Sequence, residues 1–327
     1  MPVTVILSLS ELASTRFAIS PLSETISGLQ QLGDRGRRDS NLRWMRWASD
    51  ELTVRPLQLP RVWPLIVNDR PSWPQFLLPA PTGMWTTIDD GLAAMRRTTA
   101  RQVRTSLKRV FGDDLPDSAA ELAARPAAGL RAIAAELREA HDRIIKPHWA
   151  RIRAVLDADI AYRAKQLAAG GAERLFADLH PNLHWHDGRL TLEHDHRDRM
   201  ISMGPGGLVL LPLVLGPANV TIKGHTTTQT TVRYPARGVG TLWTAGSRPA
   251  RGSTIRLLGR HRAELLEALR SPATTTDLAR ALDVTPSAVS QHLGILRESG
   301  LVTGERIGRT VLYVTTERGL DLLDSSS

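Results

Sequence analysis

The chain has 327 residues, 42% of them hydrophobic and 23% charged, a balance that fills ordinary cores in roughly two or three domains and argues against overall disorder. It contains no cysteine, which excludes disulfides, thiolate metal ligands and cysteine nucleophiles and suits a reducing compartment. The formal net charge of +9 points to a polyanionic partner, yet from Ile255 onward nine arginines balance nine acidic residues, while 33 basic and 24 acidic residues precede it.

No basic n-region precedes an apolar core in residues 1–9, and the most apolar run (207–216) is too short to span a bilayer and contains Pro212. A soluble, cytoplasmic protein without a membrane partner is therefore expected. In chain order, residues 3–9 read as a short strand, and Ser10 as the N-cap of a helix over 11–17. Ser20-Pro21 opens a helix over 21–32, in which Leu22, Ile26 and Leu29 follow helical spacing and Gly33 is the stop. Residues 35–46 are basic and include Trp44. Seven prolines in 55–81 forbid a long helix or central strand and predict an ordered loop packed by its own aromatics. Residues 88–111 read as helix, with Arg97, Arg101, Arg104 and Lys108 as one basic stripe. Such a stripe is more often a solvated face than a phosphate-contacting ridge. A long helical region follows over 117–170, broken or kinked at Pro147 and ended by Gly170-Gly171.

The character then changes to β. Residues 183–192 read as a hairpin around Asp187-Gly188, with Leu183, Trp185, Leu190 and Leu192 on one face and His184, His186, Arg189 and Thr191 on the other. Residues 208–215 and 228–234 are further strands, and 246–252 read as a linker.

The last quarter carries the most specific pattern. Residues 259–269 form a supporting helix with Leu265, Leu266 and Leu269 inward, and a second helix runs from the cap at 274–276 to about Leu282. Asp283-Val284 is the turn, and Thr285 caps a third helix with Pro286 at its first position. There Val289, Leu293 and Leu296 must pack inward, leaving Ser287, Ser290, Gln291 and Gly294 on the opposite face. Gln291 suits adenine N6/N7 and the serines suit bases or phosphate, while Thr285, His292 and Arg297 are better placed for phosphates or packing. A hairpin follows, with strands at 301–306 and 309–316. Arg306 and Arg309 flank its tip (307–308), where a guanidinium reaches a phosphate or the minor groove. Helix, turn, helix and basic-tipped hairpin make a winged helix-turn-helix that reads DNA.

The stretch SPATTTDLARALDVTPSAVSQHLGILRESGLVTGERIGRTVLYVTT resembles the winged-helix domain of ArsR-type bacterial transcription regulators, most closely at VTPSAVSQHLGILRESGLV and at the GR-x-VLYV hairpin. The stretches SELASTRFAISPLSETISGLQQL and VRYPARGVGTLW are similar to a long N-terminal domain of unknown role that accompanies such readers in actinobacterial regulators. The resemblance implies a homodimer on a palindromic operator, usually a repressor. Metal sensors of that family use cysteines, or carboxylate and histidine pairs on the last helix. This chain has no cysteine and its last helical stretch (317–324) no histidine, so metal sensing is not carried over.

Five histidines at 180, 184, 186, 194 and 196 invite a metal reading, but alternation sends the two pairs to opposite faces, and solvated strand histidines are the preferred account. Neither a P-loop nor a nucleophile elbow is present, and no catalytic residue, cofactor site or metal site is assigned. The expectation is a mostly helical α+β, multi-domain chain. Residues 1–253 would form a mixed α/β sensory or dimerisation domain with a sub-boundary near 112–117, and residues 254–327 a winged helix-turn-helix. Double-stranded DNA, a second copy of the chain and a small-molecule effector of unidentified chemistry are the expected partners. A winged-helix interaction scaffold and an enzyme with a DNA-binding appendage stay open as alternatives.

Overall fold

The computed structural model describes residues 3–34, 41–70, 72–177, 179–193, 199–201, 203, 206–224, 229–242, 252–269, 273–282, 284–307 and 310–324. Over these the chain is mostly helical with three small sheets, an α+β arrangement. It divides into two compact units, Met1–Arg37 with Ala48–Arg237, and Arg38–Trp47 with Gly238–Ser327. This differs from a single cut at 253/254. The second unit begins at Gly238, since a short helix from Val239 to Leu242 is buried at both ends and packs within that unit, and it also takes in Arg38–Trp47.

The first unit opens with β1 (Val3–Ile6), α1 (Leu9–Ala13), β2 (Arg16–Phe17) and α2 (Pro21–Leu32). The cap of α1 is Ser8, not the expected Ser10. Ser8 Oγ accepts from the Glu11 N–H, and Glu11 returns a carboxylate oxygen to the Ser8 N–H, so the serine three residues before the acid wins. Ser20 caps α2, with Pro21 at its first position and Gly33 after its last, as the sequence predicts. Almost every residue of α2 is buried, polar ones included, so Glu24, Thr25, Ser27 and Gln31 must find partners inside the unit.

α3 (Leu42–Val54) precedes the proline-rich stretch, which among its described residues holds only α4 (Trp63–Ile66) and a single 3-10 turn (Gln75–Leu77). Leu59, Val62, Leu65, Phe76 and Leu77 pack that stretch more than its tryptophans do. The expected helix over 88–111 is two helices, α5 (Ile88–Arg96) and α6 (Ala100–Phe111). Thr99 and Gln102 form a capping box that starts a new helix after Arg97. The basic stripe therefore spans two elements, with Arg97 at the end of α5 and Arg101, Arg104 and Lys108 on α6, all exposed. α7 (Asp117–Ala124) and α8 (Pro126–Ala140) follow. A widened turn over His141–Ile145 and a tight one over Lys146–His148 at Pro147 lead into α9 (Trp149–Ala177). Gly170 and Gly171 break α9, the latter at φ 63°, rather than ending it. α7 packs on α6 and α8, so the span 112–117 falls inside the first unit.

β3 (Leu183–His186) and β4 (Arg189–Leu192) pair with Leu183 opposite Leu192 and Trp185 opposite Leu190. Asp187 (φ 45°) and Gly188 (φ 73°) supply the left-handed turn that such a two-residue loop requires. With β1 and β5 (Arg199–Ile201) they form a four-stranded sheet in the order β3-β4-β1-β5. The second sheet runs β2-β6-β8-β7, using β6 (Leu208–Leu213), β7 (Thr221–Lys223) and β8 (Thr230–Pro235). β2, β6 and β8 are parallel and β7 is antiparallel to β8. One core of the unit, between its sheets and the end of α9, gathers Val3, Val5, Phe176, Leu190, Leu210, Val232 and Tyr234. Among the described residues no helix is long and apolar enough to cross a membrane.

The second unit contains α10 (Val239–Leu242), α11 (Gly252–Leu258), α12 (Arg260–Ala268), β9 (Ala273–Thr274), α13 (Thr275–Ala281) and α14 (Pro286–Glu298). β10 (Val302–Ile307), β11 (Thr310–Thr315) and α15 (Glu317–Asp324) complete it. Its sheet has the order β10-β11-β9. The linker expected at 246–252 lies outside the described residues save Gly252.

Candidate nucleic-acid interface

Local chemistry sets the helix pair α13–α14. Thr274 caps α13 in a box with Asp277, its Oγ1 accepting the Asp277 N–H at 3.1 Å and donating to Oδ2 at 2.7 Å. The Val284 N–H reaches Ala279 O at 3.0 Å across the turn, whose Asp283 lies outside the described residues. Thr285 then caps α14, accepting from the Ala288 N–H at 3.3 Å, with Pro286 in first position. At the other end the Leu301 N–H returns to Leu296 O and the Gly300 N–H to Arg297 O, both at 2.9 Å, with Gly300 at φ 69°. That paired closure needs a left-handed residue, which glycine supplies without strain.

Val289, Leu293 and Leu296 are at most 1% exposed and join Leu265, Leu266, Leu269, Leu278 and Val302 in one core. Burying those three leaves one face of α14 outward. Thr285, Ser287, Ser290, Gln291 and Arg297 are exposed there. The Thr285 and Ser287 hydroxyls lie 3.0 Å apart, so Thr285 serves as cap and neighbour at once. A Cβ added at Gly294 would meet no atom within 4 Å, so the glycine fills no packing need and keeps this face low. His292 is half-buried. Its ring stacks on His261 of α12, with centroids 5.8 Å apart, which turns it toward packing rather than outward. Ile295, 43% exposed, was not among the expected residues. It follows Gln291 by one turn, a position that the inward series passes over, so its exposure was readable from the spacing.

The hairpin β10–β11 pairs Val302 with Thr315 through to Ile307 with Thr310. The pairing thus includes Ile307, which the sequence reading placed in the tip. Arg309 and Gly308 lie outside the described residues, as does the side chain of Arg306. β11 is tied to α12 through the Thr315 N–H to Leu269 O and Thr315 Oγ1 to Leu266 O, each 2.8 Å. Gly304 admits the Tyr313 ring, which a Cβ there would meet at 3.0 Å. Elsewhere, His184 and His186 are exposed on their strand, and His194 and His196 lie outside the described residues. No group of three or more metal-ligating side chains occurs among the described residues.

With this geometry in place, comparison with known proteins is specific to the same stretch. A helix-turn-helix domain family matches residues 257–305. The HTH-type transcriptional regulator NmtR of Mycobacterium tuberculosis (strain ATCC 25618 / H37Rv) is 47% identical over 53 residues, which are 16% of this chain and 44% of that protein. The HTH-type transcriptional repressor SmtB of Mycobacterium tuberculosis (strain CDC 1551 / Oshkosh) is 49% identical over 51 residues, 16% of this chain and 38% of the relative. The chain thus spans less than half the length of either relative, and the match leaves the first unit aside. Residues 257–305 thus match a helix-turn-helix domain, the part of the chain that is similar to these two regulators.

Proposed function

We propose that the chain is a sequence-specific DNA-binding transcription regulator, a repressor that acts as a homodimer on a palindromic operator. The observation that carries this reading is the outward face of α14. Small and amide side chains (Ser287, Ser290, Gln291) stand near the helix N-terminus, on a helix held rigid by three buried aliphatics. Such a face admits close approach to a major groove, where Gln291 pairs with adenine and the serine hydroxyls with bases or phosphate. Ile295 adds an apolar contact of the kind a thymine methyl accepts. In this reading the hairpin β10–β11 is the wing, and Arg306 and Arg309 contact backbone phosphates or the minor groove. Two copies related by a two-fold axis would set their α14 helices about 34 Å apart. The likeness to the two M. tuberculosis relatives, a transcriptional regulator and a transcriptional repressor, supports the assignment.

The remaining parts follow from it. The first unit senses or dimerises and performs no catalysis, the effector is a small molecule, and the protein works in the cytoplasm. Sequencing of DNA that co-purifies with the full chain at moderate salt tests the reading. One enriched palindromic sequence is expected. Uniform genomic coverage, or no DNA at all, would favour a helix-turn-helix scaffold for protein contacts instead.

A further inference from the structure

A pocket of about 190 Å³ in the first unit is walled by Ser27 and Gln31 of α2, by Ile66 and Trp73, and by Leu215 and Pro217 in the chain that follows β6. Gln30, Asn68, Arg70 and Ser72 complete its lining, and the second sheet reaches it through contacts of Arg233 with Ser27 and Trp73. Arg233 of β8 is paired with Leu211 of β6 and Thr221 of β7, so these three side chains share one face. On that face Val209, Leu211 and Leu213 meet Ala18, whereas Val232 and Tyr234 turn into the core that holds Val3, Val5 and Phe176. Arg233, 5% exposed, is therefore a buried guanidinium on a face that also carries Thr221, Lys223 and Thr231. It donates to Ser27 Oγ at 3.0 Å, and its Nε has no hydrogen-bond partner among the described residues. The Trp73 ring holds the Lys223 ammonium 3.1 Å from its centre and the Arg233 guanidinium at 5.6 Å.

Gln31, 1% exposed, stands one turn beyond Ser27 on the same helix face. Its Nε2 donates to Leu215 O at 2.5 Å, which fixes the amide orientation and leaves Oε1 a buried acceptor without a partner among the described residues. Thr221 Oγ1 is likewise buried and, among the described residues, unpartnered. The acid of this region, Glu24, accepts from the Val214 and Leu215 N–H groups at 2.7 and 2.8 Å. Burial lowers Arg233 to about 10, which leaves it charged at neutral pH, while burial and Arg233 together pull Lys223 well below the ordinary lysine value. A buried acceptor left unpaired costs its full desolvation, and Gln31 Oε1 in the pocket wall, with Arg233 held against Ser27 of the same wall, calls for a ligand that pairs it.

We propose that this pocket binds a small hydroxylated organic carboxylate. The carboxylate is drawn to the Arg233 side, a hydroxyl donates to Gln31 Oε1, and a flat apolar body rests against Trp73 between Ile66, Leu215 and Pro217. A cavity of about 150 Å³ admits a benzene ring, so the volume here suits a ring-sized body with one or two polar substituents. The site belongs to the first unit alone and stands whether or not the chain binds DNA.

Isothermal titration of the full chain with 4-hydroxybenzoate, and with 4-hydroxybenzamide and benzoate as controls, tests the proposal. Saturable binding of 4-hydroxybenzoate at one site per chain is expected, with each control weaker by about tenfold or more. Arg233 is too deep in the sheet for a clean substitution, so Gln31→Met and Trp73→Leu carry the mutational test, with folding checked by circular dichroism. Gln31→Met should abolish the preference for the hydroxyl, and Trp73→Leu should weaken all three probes. Failure of every probe to saturate at millimolar concentration would make the pocket a water site and overturn the proposal. Equal affinity for acid and amide, or an unchanged hydroxyl preference in a folded Gln31→Met protein, would overturn it too.

Discussion

Two side chains on the second unit are proposed to do different work, and substitution separates them. Gln291 is exposed on α14 with no core role, so Gln291→Ala should leave stability unchanged and relax base preference at one operator position, by about 1–3 kcal/mol of discrimination. Arg309→Ala should weaken every DNA sequence alike and lower the salt slope of binding by about one. Quantitative binding to operator variants and random DNA at several salt concentrations checks both, and a uniform loss for both variants would reverse the role given to Gln291. Gly294 offers a sharper separation. Alanine there meets open space and improves helix propensity, so Gly294→Ala should raise stability by up to about 1 kcal/mol. If α14 lies in a groove, the added methyl should nonetheless weaken operator binding. Denaturant titration beside gel-shift measures the two, and a rise in both stability and affinity would argue against close approach at this face.

Elements that announce their own ends were legible in the sequence, and those whose ends depend on distant packing were not. Ser20-Pro21 and Gly33 bound α2, Thr285-Pro286 opens α14, and Asp187-Gly188 fixes the β3–β4 register, each by chemistry confined to a few residues. The break between α5 and α6 was missed although Thr99 and Gln102 spell a capping box, because the apolar spacing runs on across it. β5 and β7 were missed for a different reason. Three residues each, they owe their strand state to β1 and β8 beside them. In the candidate interface, periodicity alone separated the buried Val289, Leu293 and Leu296 from the exposed polar face. The His292–His261 stack was not legible, since it joins α14 to a helix about thirty residues upstream.

Burial of titratable groups has its own consequence at this scale. His141, in the widened turn after α8, lies 3.3 Å by Nδ1 from the Thr25 hydroxyl of α2, and that hydroxyl donates to Pro21 O, so the imidazole donates. Desolvation lowers His141 to about 4, against 6.5 for a free histidine. The unfolded chain therefore takes up a proton first as pH falls. The stabilisation is complete above about 6.5 and is lost progressively down to about 4. A loss of about 1 kcal/mol between pH 7 and pH 5 is expected after allowing for partial solvent access. His141→Gln keeps a donor for Thr25 without titrating, so urea melts of that variant should show a shallower pH dependence. Burial also lowers His148 and His180, so some dependence should persist. An unchanged slope in the variant would assign the effect elsewhere.

Across the whole molecule, charge is distributed against the simplest picture of a DNA-binding protein. The stretch from Ile255 to the end is balanced, nine arginines against nine acids, and the excess of +9 lies before it. Two accounts compete: either the basic surface of the first unit adds phosphate contacts, or a few placed arginines and the N-terminus of α14 suffice. The structure bears on this through the basic stripe. Because Arg97 closes α5 while Arg101 and Lys108 belong to α6, the stripe is not one continuous ridge, and Arg104 spends its Nε on Ala123 O at 2.9 Å. Stripes of that kind, exposed and divided between elements, are usually solvated surface. The expectation is therefore that replacing Arg97, Arg101 and Lys108 together by glutamine leaves both operator affinity and its salt slope within error of the parent. Three lost phosphate contacts would instead flatten the slope of log K against log salt by about 2.7. Fluorescence anisotropy across a salt series distinguishes these outcomes. A flattened slope would move the first unit onto the DNA, whereas an unchanged slope in the triple variant and a reduced one in Arg309→Ala would confine the contact to the second unit.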